Sequence, residues 1–143
     1  MSNPETVLNN DIARLQAALS ELFAPWVQAL GLRVEEASES CVTLRLPASE
    51  QLARSGGMLC GQAMMAAADT AMVLALIQHF GEFRPCTTVQ LSTSFLRPLS
   101  AQDALVEARV LRAGKALAFG EIELRGADDG KSVCRASTTY ALL

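Results

Sequence analysis

Gly61-Gln62-Ala63-Met64-Met65-Ala66-Ala67-Ala68-Asp69-Thr70-Ala71-Met72-Val73-Leu74-Ala75-Leu76-Ile77-Gln78-His79-Phe80 is the stretch that decides how this chain folds. From Met58 to Gln78 the chain is apolar, broken by Gln62 and Asp69, and Asp69 is the one charge between Arg54 and Glu82. A helix over roughly Gly61 to Phe80, closed by Gly81, therefore has no polar face and must be enclosed on all sides. It is long enough to span a bilayer, but Asp69 would then sit near the membrane centre at a cost of about 2.5–3.5 kcal/mol. Strongly patterned strands follow, so the expectation is a helix buried inside protein.

After Gly81 the hydrophobic period switches from 3.6 to two. Val89, Leu91, Thr93 and Phe95 alternate with Gln90, Ser92 and Ser94 until Pro98 ends the run. Ala104–Leu111, Ala116–Arg125 and Val133–Ala141 read as three more strands, separated by turns at Arg112-Ala113-Gly114-Lys115 and Gly126-Ala127-Asp128-Asp129-Gly130. Short turns predict an antiparallel meander. Before the helix, Leu32–Ala37 and Cys41–Leu46 read as a hairpin, and 47–58 as a loop marked by Ser55-Gly56-Gly57. Residues 10–30 carry Ile12, Leu15, Leu19, Leu22, Phe23 and Trp26 at helical spacing, with Asn10 or Asp11 as N-cap and Pro25 bending or ending the helix. The layout is α+β: one antiparallel sheet curling around one apolar helix, with an additional N-terminal helix.

Composition bounds the function. The 143 residues suit a single domain over 1–143, with 1–30 as its N-terminal helical segment. Half of them are hydrophobic (50%) and only 19% are charged, enough apolar content for a real core. A net charge of -3 gives no basic surface for nucleic acid. Cys41, Cys60, Cys86 and Cys134 show no Cys-x-x-Cys spacing and there is one His, which argues against a structural zinc site. Met-Ser-Asn-Pro-Glu at the start lacks the basic and apolar runs of a secretory signal. The expectation is a cytoplasmic protein with no membrane partner, metal or bound cofactor.

Asp69 is the candidate for chemistry. In a helix apolar on every side an ionised carboxylate costs several kcal/mol unless paired. It is either a structural acid bonded to a hydroxyl, such as Thr70 or a strand Ser or Thr, or a carboxylate held in a cleft as base or nucleophile. Gly61 opens the helix, where unsatisfied backbone N–H groups carry the positive end of the dipole and can hold an oxyanion. Cys60 at the same terminus could act as a nucleophile, but His79 lies roughly 28 Å further along the helix and cannot serve as its base. A buried thiol at Cys60 and a dipole-compensating His79 are the readings that remain. Arg54, Arg84, Arg97 and Lys115 are cations that could meet phosphates.

Cys60-Gly61-Gln62-Ala63-Met64-Met65-Ala66-Ala67-Ala68-Asp69-Thr70-Ala71 resembles the His-Gly-Gly…Leu-Ala-Asp-Thr-Ala segment of hotdog-fold acyl-CoA thioesterases of the PaaI-like branch. Phe95-Leu96-Arg97-Pro98 resembles that family's strand end, and Gly114-Lys115-Ala116-Leu117-Ala118 and Ala136-Ser137-Thr138-Thr139-Tyr140 its last two strands. The departures are a Cys at position 60 for the family's His, Gln62 for its second Gly, and Arg54 for an Asn or Gln that positions water. Gly61-Gln62-Ala63-Met64-Met65 is closer to a subgroup reading Ser-Gly-Pro-x-Met-Met. The resemblance implies hydrolysis of acyl-CoA to a carboxylic acid and coenzyme A, with Asp69 as general base or nucleophile and the Gly61 and Gln62 amides as oxyanion donors. It implies substrate contacts at Arg54, Cys60, Thr87, Thr88, Arg97, Gly114 and Lys115, and a homodimer or homotetramer. Hotdog dehydratases pair their acid with a His, and none stands near Asp69. The rival reading is a non-catalytic acyl-CoA-binding sensor or scaffold, favoured by the altered positions 54 and 60.

Spacing adds one independent constraint. Gly61 and Asp69 are eight residues apart, about 12 Å along a helix. A base and an oxyanion donor must both lie about 3 Å from one reacting carbonyl region. One helix cannot supply both, whereas two antiparallel helices across a two-fold axis can.

Overall fold

The computed structural model describes residues 3–143; Met1 and Ser2, at the start of the expected N-terminal segment, lie outside the described residues. The apolar helix, α3 (Gly61–Phe80), has the expected bounds. Gly81 closes it at φ 78°, its N–H bonded to the Ile77 carbonyl at 2.8 Å, a left-handed cap that costs glycine little. Length and composition would let α3 cross a membrane, yet most of it is buried within the fold. Ala67, Ala68, Ala71, Met72, Leu74 and Ala75 are inaccessible to solvent.

What encloses α3 is a six-stranded antiparallel sheet: β1 (Arg33–Ser38), β2 (Cys41–Leu46), β3 (Cys86–Phe95), β4 (Ala104–Ala113), β5 (Leu117–Gly126) and β6 (Ser132–Leu142). Period-two patterning turns one side of each central strand inward. Val42, Leu44 and Leu46, then Val106 and Ala108, Ala118 and Ile122, and Ala136 and Tyr140 all face the helix layer and are buried. This is the hotdog architecture implied by the resemblance.

Three details differ from expectation. The last four strands are not a sequential meander, because the sheet order is β1-β2-β4-β5-β6-β3 and β3 lies beside β6 at the far edge. The connection from Leu96 to Asp103 is long enough to cross the sheet end, whereas the β4–β5 and β5–β6 turns force adjacency. The alternation expected in β3 also breaks. A β-bulge between Thr88 and Gln90 leaves Val89 unpaired and 59% exposed, and Phe95, at the strand end, is 51% exposed. The N-terminal helix, finally, begins earlier. α1 spans Pro4–Glu21 and its cap is Asn3, whose side chain accepts from the Glu5 N–H, with Pro4 in the first turn where a missing N–H costs nothing. Asp11 therefore lies inside the helix and accepts from Gln78 Nε2 at 3.0 Å.

Pro25 does not end α1 either. The helix stops at Glu21, and Pro25 opens a separate single turn, α2 (Pro25–Gln28), which leaves Leu22 and Trp26 exposed while Leu15 and Leu19 are buried. α1 is moored to the C-terminal end of α3 by Arg14, which donates to the Gly81 carbonyl at 3.1 Å and to Gln78 Oε1 at 3.2 Å. The 47–58 loop contains one 3-10 turn, Glu50–Leu52.

Helix and sheet come into tight contact at Gly120. A Cβ there would overlap the Met72 sulfur and lie 2.9 Å from the Arg109 carbonyl oxygen. Gly120→Ala should destabilise the fold by about 1–3 kcal/mol through overpacking. A thermal or urea melt checks this, and an unchanged midpoint would show that the sheet can back away from the helix.

Candidate active site

Ala66, Asp69, Thr70 and Val73 occupy one face of α3 at helical spacing and form the floor of a cleft of about 250 Å³. One wall is the start of β3, with Cys86, Thr87 and Thr88, backed by Tyr140 of β6. The other is the end of the N-terminal segment, with Phe23, Trp26 and Val27.

Register explains why two hydroxyls converge on the carboxylate. Thr88 and Tyr140 are directly paired between β3 and β6, so their side chains share the face that looks onto α3. The bulge that follows immediately ends this register. Thr88 Oγ1 donates to Asp69 Oδ1 at 2.8 Å. The Tyr140 hydroxyl donates to the same Oδ1 and also lies 2.9 Å from the Asp69 carbonyl oxygen. Among the described residues Oδ2 has no partner, and Asp69 is half-buried. One oxygen is thus held and the other is open to the cleft. Thr70, offered above as a partner, instead donates to the Ala66 carbonyl at 2.8 Å and takes no part.

The charge on Asp69 is felt by its neighbours. Tyr140 is 2% exposed, and burial first, then the bond to Asp69, hold its phenol far above the ordinary value of 10.0. The half-buried Cys86 thiol is pushed up by burial and by the Asp69 charge, so it stays protonated beside the carboxylate.

Gly61 lies in a second cleft of about 390 Å³, with Arg54, Met58, Leu59, Met64, Phe95, Arg97 and Pro98 around it. Cys60 is the N-cap of α3 but its side chain makes no capping bond, and the first helical bond runs from the Met64 N–H to the Cys60 carbonyl. The amides of Gly61 and Gln62 are therefore left without intrahelical partners. A Cβ at Gly61 would press on the Phe95 ring at 3.3 Å, so glycine keeps this terminus open. Arg54 and Arg97 form no ion pair among the described residues.

Of the residues expected at the site, then, the fold groups Asp69 with Thr87 and Thr88, and Gly61 with Arg54 and Arg97. Cys60 and Gln62 flank Gly61 without lining that cleft. Gly114 and Lys115 lie in the β4–β5 turn and border neither cleft. His79 is in the last turn of α3, its Nδ1 2.9 Å from Ser40 Oγ. Tyr140 and Cys86 were not among the expected site residues. The signal for Tyr140 was available: it is the one tyrosine of the chain, at an inward position of a strand where its hydroxyl needs a partner. A wider concavity of about 450 Å³ on the outer face of the sheet holds none of the expected residues. Four of its charges are paired, Arg135 with Glu123 at 2.8 Å and Arg109 with Glu107 at 3.3 Å.

Comparison with known proteins bears on this geometry. The family model described as the thioesterase superfamily matches residues 56–133, which include α3 and both clefts' central residues. A curated relative, "Putative esterase SSO2140" of Saccharolobus solfataricus, is 29% identical over 129 residues, 88% of this chain and 91% of its own. Among solved structures, the PaaI protein of E. coli, from its phenylacetic acid degradation operon, superposes with a TM-score of 0.80 at 19% identity, covering 95% of this chain and 96% of its own. A hypothetical thioesterase of Streptococcus pneumoniae, solved with coenzyme A, superposes with a TM-score of 0.72 at 15% identity, covering 78% and 85%. At these identities the two structures speak for the fold alone.

Tyr140 reports on the site directly. Its folded-state value lies above that of the unfolded chain, so the stability it contributes is complete below about pH 10 and is lost as pH rises past it. In an alkaline ultraviolet titration, phenolate absorbance should appear only together with unfolding. An ionisation near pH 10 in the folded protein would mean that the bond to Asp69 does not hold the phenol.

Proposed function

The chain belongs to the thioesterase superfamily, and from that premise we propose that it hydrolyses acyl-CoA thioesters with Asp69 as the reacting carboxylate. The carrying observation is the asymmetry of Asp69, with Oδ1 held by Thr88 and Tyr140 and Oδ2 free in a cleft. In the general-base route Oδ2 takes a proton from water while the water oxygen adds to the thioester carbonyl. The C–S bond then breaks, giving the carboxylic acid and the coenzyme A thiol, which receives the proton. In the nucleophilic route Oδ2 itself adds to the carbonyl, the C–S bond breaks to release the coenzyme A thiolate, which takes a proton from water, and a water then hydrolyses the resulting anhydride to the carboxylic acid and free Asp69. Either route develops charge on the carbonyl oxygen, which the Gly61 and Gln62 amides at the α3 N-terminus suit.

Those amides come from a second copy in this reading. Separation along α3 supports it, since about 12 Å divides Gly61 from Asp69. So does β3, a ten-residue edge strand that carries exposed Val89 and Phe95, the kind of edge that seeks a partner. A two-fold dimer, or a tetramer of two dimers, then has equivalent sites. Arg54 and Arg97, unpaired around the Gly61 cleft, are placed to meet the coenzyme A phosphates. Cys60, Thr87, Gly114 and Lys115 are further substrate contacts in the same reading, the last two from a turn outside both clefts. The coenzyme A in the Streptococcus pneumoniae structure and the residues shared with the PaaI-like branch support that substrate class. No resident cofactor is required, and the cytoplasm, where acyl-CoA is made, is the compartment that fits.

Thiol release from a panel of acyl-CoAs measures the activity. Asp69→Asn keeps the shape of the side chain and should lower kcat by about a hundred- to ten-thousandfold. An Asn variant near wild-type activity would remove Asp69 from the chemistry, and tight acyl-CoA binding without turnover by the wild type would make the protein a sensor.

The shared site has its own test. Mixing Asp69→Asn chains with Gly61→Pro chains, each inactive alone, should restore part of the activity after subunit exchange, because each heterodimer regains one intact site. With both parents folded and exchange verified, a mixture that stays inactive would assign Asp69 to donors of its own chain.

A further inference from the structure

A thioester carbonyl within reach of Asp69 Oδ2 carries its acyl chain a bond or two away, so the acyl group must lie along whatever lines the Asp69 cleft. That lining has an apolar side, Phe23, Trp26 and Val27 with Ala66 and Val73 of the floor, opposite the hydroxyls of Thr87, Thr88 and Tyr140. Asp69 is its one charged residue, and neither Arg54 nor Arg97 borders it. Trp26 is 65% exposed and stands beside Phe23 and Val27, so the three give the cleft an apolar surface open to a ligand. The wall is also firmly built. Gln28 Nε2 donates to the Phe23 carbonyl at 2.7 Å, and the Val27 N–H to that of Ala24 at 2.9 Å, fixing the turn. The helix before it is tied to the strand after it, Gln16 of α1 accepting from the Val34 N–H of β1 at 2.8 Å.

We propose that this cleft is the acyl subsite and that Trp26 is its specificity-determining residue, selecting compact, uncharged acyl groups. The proposal rests on the thioesterase reading and extends it. Within one chain the cleft holds about 250 Å³, below the roughly 300–1,000 Å³ of sites for drug-sized ligands, which matches a short chain or a single ring. A carboxylated acyl group would meet the Asp69 charge with no cation of the same chain in the lining to offset it. The wall lies outside residues 56–133, the part matched by the family model, and comes from the N-terminal segment.

Binding of non-hydrolysable thioethers separates the subsite from the chemistry. Calorimetry with coenzyme A, S-methyl-, S-hexyl-, S-hexadecyl- and S-(3-carboxypropyl)-coenzyme A should rank S-hexyl tightest in the wild type. Trp26→Ala and Trp26→Leu, at an exposed position that the core does not need, should cut the preference for S-hexyl over S-methyl at least about tenfold while leaving coenzyme A itself unchanged. The kcat/KM ratio of hexanoyl- to acetyl-CoA should fall in parallel. If folded Trp26 variants keep the full preference, or if the wild type favours S-hexadecyl or the carboxylated chain, the subsite assignment is overturned. If the wild type discriminates among thioethers but releases no thiol from acyl-CoA, hydrolysis fails and the subsite stands.

Discussion

A twenty-residue helix without a polar face cannot rest on a surface; it has to be enclosed, and the curvature of the sheet follows from that requirement. The small side chains of α3 allow the strands to come close. Ala67, Ala68, Ala71 and Ala75 present almost no bulk, Met72 fills what remains, and Gly120 accepts the Met72 sulfur where any side chain would collide. Such contact is productive only if every position is apolar. Asp69 is the exception, and it lies where enclosure is incomplete, between the edge strand β3 and the N-terminal segment.

A lone carboxylate at the edge of a core is a balance of two terms. Partial desolvation costs several kcal/mol, and each charge-assisted hydrogen bond returns about 1.5–3 kcal/mol. Two hydroxyls on Oδ1 together with solvent access for Oδ2 bring these terms close to even. A third protein donor on Oδ2 would favour stability further but would leave no lone pair for a proton or a carbonyl carbon. Stopping at two bonds, both on one oxygen, leaves a carboxylate that is held in place with its second oxygen open to the cleft. Burial adds to this by keeping Tyr140 a donor at all ordinary pH values.

Much of this was legible in the chain itself, because the strongest signals are local. Ala and Met over a full helix length and an abrupt change of period after Gly81 are enough for α3 and for most strand bounds, and one charge among apolar residues singles out Asp69 as a candidate. What stayed hidden depends on pairing between distant segments. Nothing near β3 says that it joins β6, since Leu96–Asp103 could equally have turned back on itself. Tyr140 reaches Asp69 only because of that pairing, so its role could not be read without the sheet order. The N-terminal helix misled for a different reason. Its apolar spacing continues past Glu21, and Pro25, ambiguous between an ending and a beginning, falls at the start of a turn where its fixed φ is favourable.

Departures from the family pattern at Cys60 and Gln62 matter less in such a site than their positions suggest. An oxyanion held by backbone N–H groups depends on where the helix begins, and not on which side chains stand there. What would interfere is a side chain that satisfies those amides first. Ser, Thr, Asp or Asn at the N-cap would do so, whereas Cys60 makes no capping bond. Position 61 is the less forgiving one, because a Cβ there meets the Phe95 ring and would stand between the amides and an incoming carbonyl. The same reasoning applies at Arg54: an Asn or Gln orients water by hydrogen bonding, but with Asp69 Oδ2 free to orient it, a cation at that position is available for phosphate instead. In the acyl-CoA reading proposed above, the polarity of the two clefts would give the substrate a direction, apolar chain toward Trp26 and charged nucleotide toward Arg54 and Arg97. The scissile bond would lie at the seam where one copy's Asp69 faces the other's helix terminus.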